Sequence, residues 1–63
     1  MEKVYWTLQV LSSEDGWTDW HGEHMSIDAA ERAIDHFRKV NKVQPVRILE
    51  HRHRSEVVFT DRR

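Results

Sequence analysis

Five histidines in 63 residues are the side chains best suited to chemistry in this chain. His51 and His53 are two apart, so on a strand their rings leave the same face, and Asp19 and His21 repeat that spacing earlier in the chain. Three imidazoles and a carboxylate are donor types that zinc accepts. Such a site requires the two pairs to meet across a sheet, and no spacing here has the specificity of a paired Cys-x-x-Cys, because the chain has no cysteine. Exposed strand histidines are also ordinary polar residues, and His36 falls on the outer side of a helix. We therefore expect no metal. Serines fall in turns or at a helix cap, with neither a Gly-x-Ser-x-Gly elbow nor a phosphate-cradling glycine loop. Two glycines and one small core leave little material for the concave pocket that most active sites use. The expectation is no enzyme and no cofactor.

Arginines offer a second chemistry. Arg47, Arg52, Arg54, Arg62 and Arg63, with Lys39 and Lys42, could meet phosphates, and Tyr5 with a tryptophan on an open sheet face could stack bases. The formal net charge is −1, against the basic excess of a general nucleic-acid binder. That total hides a polar molecule: residues 1–37 hold two bases (Lys3, Arg32) against eight acids, and residues 38–63 hold eight bases against three. Nucleic-acid binding through Arg47, Arg52 and Arg54 is the alternative function, less favoured because no aromatic-rich RNP-like segment accompanies the arginines.

These side chains need elements to position them. Residues 4–11 alternate, with Val4, Trp6, Leu8 and Val10 on one face and Tyr5, Thr7, Gln9 and Leu11 on the other, the pattern of a half-buried strand. Ser12-Ser13-Glu14-Asp15-Gly16 makes a turn ending in Asp-Gly. Residues 17–24 return as a second strand, but Trp17 and Trp20 differ in parity and take opposite faces unless a bulge intervenes, which Gly22 could supply. Ser26 is a candidate N-cap, with Asp28 the alternative, and Asp28 and Glu31 favour the first turn of a helix. Over residues 27–41, Ile27, Ala30, Ala33, Ile34, Phe37 and Val40 form one apolar stripe. Pro45 cannot continue the helix. Residues 46–54 read as a third strand with Val46 and Ile48 on one face and Leu49, His51 and His53 on the other. A turn near residues 54–56 leads to a fourth strand, residues 57–60, and residues 61–63 read as a frayed tail.

The whole chain is thus expected to be a single α+β domain, ββαββ, with one amphipathic helix on one face of a four-stranded, mainly antiparallel sheet. So short a chain buries only about 60% of the surface it exposes when unfolded, and it has no disulfide to help. One helix covers one sheet face. If Trp6, Leu8, Val10, Ile48 and the helix stripe form the core, Tyr5, Leu11, Leu49 and one of Trp17 or Trp20 remain on the other face, beside His51 and His53. An aromatic patch of that kind marks an interface, so we expect these residues to bind another protein or a second copy of the chain.

The segments Trp17 to Trp20, Ser26-Ile27-Asp28-Ala29-Ala30-Glu31-Arg32-Ala33 and Val46-Arg47-Ile48-Leu49 resemble the small ββαββ proteins encoded by bacteriophages and prophages. In those proteins a tryptophan-bearing hairpin precedes a helix and an arginine-bearing strand. The resemblance implies a non-enzymatic binder of a host enzyme or defence complex, as anti-CRISPR inhibitors are. No stretch approaches the roughly 20 apolar residues that span a bilayer, and residues 1–3 run into the first strand without a signal-peptide core. The expected setting is cytoplasmic, without a membrane partner. Because a metal bound to the folded state alone would stabilise it, a metal-free fold keeps its melting temperature when EDTA is added. A fall on chelation, read by circular dichroism, would restore the histidine site.

Overall fold

Residues 3–61 are described by a computed structural model. Four strands, β1 (Tyr5–Ser12), β2 (Gly16–His24), β3 (Val46–His51) and β4 (Ser55–Asp61), and one helix, α1 (Ile27–Val40), follow in the order ββαββ. All pairings are antiparallel, and the sheet order β2-β1-β3-β4 puts β1 and β3 at the centre. Helix α1 packs over β2, β1 and β3 and reaches β4 through a side chain, Arg38 on Asp61. No helix among the described residues is long and apolar enough to cross a membrane.

The alternation of β1 becomes rows across the sheet. Facing the helix are Phe59–Ile48–Leu8–Trp20 and Asp61–Val46–Val10–Thr18, with Glu56–Glu50–Trp6–His24 at the far end. Leu8, Val46 and Ile48 are fully buried and pack with Val10, Ala30, Ala33, Ile34 and Phe37, while Trp6, Trp20 and Phe59 close the margins of this core. The ring of Trp20 meets Phe37 edge-on at 5.4 Å. Trp20 therefore belongs to the helix side, and of the two tryptophans only Trp17 lies on the bare face.

Ser26 caps α1, its Oγ accepting the Ala29 N–H at 3.1 Å, so it and not Asp28 holds the N-terminus. The helix ends at Val40, one residue short of the expected 27–41, and Val40 is 82% exposed. At 100° per residue, Ile27 and Val40 lie about 70° to either side of the line through the four buried positions, and both sit at helix ends. Residues so far off the stripe face water. Beyond the helix, Asn41 Oδ1 accepts the N–H groups of Val43 and Gln44, and the Gln44 side chain reaches the Leu11 carbonyl at 2.9 Å. The Pro45 carbonyl accepts the Leu11 N–H at 3.0 Å.

Three further differences come from the C-terminal hairpin. Strand β3 stops at His51 rather than residue 54, because residues 52–54 form the turn, closed by the Arg52 N–H on the Arg54 carbonyl at 3.2 Å. Strand β4 opens at Ser55 and carries a bulge: Ile48 pairs with Phe59 and Leu49 with Val57, leaving Val58 as the extra residue. Asp61 is the last residue of β4 and not a frayed end, since Arg38 donates to its carboxylate at 3.2 Å while also donating to the Gln44 carbonyl at 2.7 Å. One guanidinium thus ties the helix, its following loop and the edge strand. Arg62 and Arg63 lie outside the described residues.

Phe37 is 6% exposed at the centre of the helix contact. Phe37→Ala should cost roughly 3–5 kcal/mol, read as a shifted denaturant midpoint. A midpoint within experimental error of the parent would mean the helix packs differently.

Candidate functional site: the bare sheet face

The face away from α1 carries four rows: Ser55–His51–Tyr5, Val57–Leu49–Thr7–Glu23, Thr60–Arg47–Gln9–Asp19, and Leu11–Trp17. Tyr5, Leu11, Trp17, Leu49 and His51 are brought together here, all half-buried. His53 is not among them. It sits exposed in the β3–β4 turn, where it borders a cleft of about 200 Å³ with Glu50, Arg52, Arg54 and Glu56.

Aromatic rings on this face are held by stacked partners. The His51 imidazole lies flat on Tyr5, centroids 4.5 Å apart and 11° from parallel. The Arg47 guanidinium lies 4.3 Å above the Trp17 ring, a cation–π contact, while its Nε donates to Gln9 Oε1 at 2.9 Å. Gln9 in turn donates to Asp19 at 2.9 Å. Lys3 donates to Glu23 at 2.9 Å, and that bond, with the carboxylate charge, raises the lysine pKa.

His51 is the centre of this face. Its Nε2 lies 2.8 Å from the Thr7 hydroxyl and its Nδ1 2.7 Å from the Ser55 hydroxyl, so one ring joins β1, β3 and β4. A serine hydroxyl against an imidazole has the spacing of an activated nucleophile. The group on the other nitrogen, however, is the neutral Thr7 hydroxyl and not a carboxylate that would orient and charge the ring, so the arrangement acts as a bridge. Thr7 is 4% exposed beneath it, the one buried polar residue among those described. Neither hydroxyl stands out in the sequence, since the contact requires the strand order as well as the parity.

The zinc reading fails on placement. Asp19 bonds Gln9 on the bare face, whereas His21 lies in a bulge of β2 at φ 63 with its ring edge-on to Trp20. Among the described residues no three His, Asp or Glu side chains gather as a metal site. Two of the arginines, Arg52 and Arg54, stay 56% and 84% exposed in the side chain while pairing with carboxylates. Glu50 and Glu56 face each other across β3 and β4, a repulsive pairing, and Arg52 and Arg54 each hold one of them, at 3.1 and 3.2 Å. Compared with family models, curated proteins and solved structures, the chain matches none.

A double-mutant cycle with Thr7→Val and His51→Phe should return a coupling of about 1 kcal/mol, the net worth of one hydrogen bond in a partly buried site. Additivity, measured by urea unfolding, would show that the Thr7–His51 contact contributes nothing.

Proposed function

We propose that this chain is a non-catalytic protein-binding module, that its working surface is the bare sheet face, and that its partner is another protein. The carrying observation is the pair of stacked aromatics, Trp17 under Arg47 and Tyr5 against His51, standing on either side of Leu49. Tyrosine, tryptophan and arginine are the residue types that anchor interfaces. Here the groups stacked on the two rings are already bonded within the chain, Arg47 through Gln9 and His51 through Thr7 and Ser55. A partner therefore meets an ordered surface, and less side-chain freedom is lost on association. Val57, 49% exposed, extends the apolar strip from Leu49 toward the sheet edge.

Nucleic-acid binding is the weaker reading, because Arg47, Arg52 and Arg54 are each engaged by Gln9, Glu50 and Glu56. The phage-protein resemblance supplies the class of bait for a test, a host enzyme or defence complex. With a partner captured, Tyr5→Ala or Leu49→Asp should weaken the complex about thirtyfold or more, the effect of losing roughly 2 kcal/mol at an interface centre. Folding, followed by circular dichroism, should change less. Light scattering tests the other occupant: a particle of twice the chain mass that Leu49→Asp halves would make the partner a second copy. Micromolar oligonucleotide binding near physiological salt, falling steeply as salt rises and lost with the three arginines, would replace this reading with the nucleic-acid one.

A further inference from the structure

Strand β4 is the one strand whose backbone α1 does not approach. No buried core residue lies on it, and Ser55, Glu56, Val57 and Val58 are all exposed. Strand β2 likewise contributes no buried residue, but it lies against α1 and runs into it through Met25 and Ser26. The only strand beside β4 is β3, and the extra residue Val58 interrupts that pairing.

Two side chains compensate. Phe59 packs on the margin of the core beside Ile48, its cross-strand partner. Arg38 reaches out from α1 to the Asp61 carboxylate at 3.2 Å, a pair whose side chains are 11% and 23% exposed, so the contact is sheltered at the Asp61 end of the strand. Segments with few buried apolar contacts open at lower free energy than the whole molecule, and they do so in cooperative units.

We propose that β4 is a strap that detaches from β3 as one unit, Ser55 to Asp61, while β1, β2, β3 and α1 stay folded. The Arg38–Asp61 pair is its latch. Opening changes the bare face as well, since Ser55 Oγ lies 2.7 Å from His51 Nδ1 and Val57 shares a row with Leu49. Both leave with the strap. The device belongs to the fold and stands whether or not that face binds a protein.

Native-state hydrogen exchange of the full chain, followed residue by residue by NMR, is the test. Amides bonded between β3 and β4 should exchange at least about tenfold faster than the most protected amides of β1 and α1, a difference of about 1.4 kcal/mol in opening. Asp61→Asn removes a charge-assisted bond that is broken in either kind of opening, so it should speed both groups by a similar factor, about tenfold. Ala33→Gly separates them. It weakens α1 on the flank beside Trp20 of β2, and should speed the most protected amides about fivefold while leaving those of β4 unchanged. Rates for β4 as slow as the core, or equal factors for both groups in Ala33→Gly, would mean that the chain opens only as a whole and overturn the proposal. So would β4 amides that Asp61→Asn leaves unchanged, or rates that fall steadily from Asp61 to Ser55, the pattern of a fraying end.

Discussion

A single 14-residue helix has to close a four-stranded sheet, and the rest of the molecule follows from that mismatch in width. With side chains a helix is about 10–12 Å across, whereas strands repeat every 4.8 Å or so, which means that one helix fully covers about two strands. The fully buried strand residues, Leu8, Val46 and Ile48, accordingly lie on β1 and β3. The edge strands can contribute only side chains long enough to reach inward, and each supplies an aromatic: Trp20 from β2 and Phe59 from β4. The large side chains that looked like surplus for so small a core are partly the means by which its edges are sealed.

The opposite face has no helix and solves its exposure differently. It is neither a plain apolar patch nor a plain charged one. Cross-strand neighbours satisfy each other, with Arg47, Gln9 and Asp19 in one chain of bonds and Thr7, His51 and Ser55 in another. The first chain runs straight across the strands and the second steps diagonally from Thr7 to His51, so both act as side-chain ladders on top of the backbone ladder. The rings of Tyr5 and Trp17 are held in position by the same groups, which links the stability of the sheet to the shape of the surface it presents.

Period two in residues 4–11 and the apolar stripe of the helix made β1, α1, the core and the ββαββ order legible in the sequence. Both depend on local, regular geometry. What escaped was irregular or non-local. Insertion of His21 and Gly22 between the pairs Leu8–Trp20 and Thr7–Glu23 sends His21 away from Asp19, so the two-residue spacing between them no longer means a shared face. The adjacent Val57 and Val58 were a sign of the second bulge, since two neighbours of one type cannot both follow an alternating pattern. His53 was misplaced because a strand and a tight turn of charged residues look alike without a partner strand to set the register. The partners of His51 and of Arg38 were beyond reach for another reason: each contact joins segments whose adjacency is decided by strand order.

The two bulges also have a bearing on how this sheet meets the outside. An edge strand exposes unpaired N–H and C=O groups to which another chain can add a strand, and irregularity is a common means of blocking such addition. On β4 the bulge leaves three residues on either side of Val58, and on β2 the positive-φ pair interrupts the strand after Trp20. Both margins of the sheet are thereby blunted, and growth by strand addition toward a continuous cross-chain sheet is discouraged at each. Backbone geometry at both edges thus works against edge-to-edge pairing, even with valines exposed and one sheet face uncovered among the described residues.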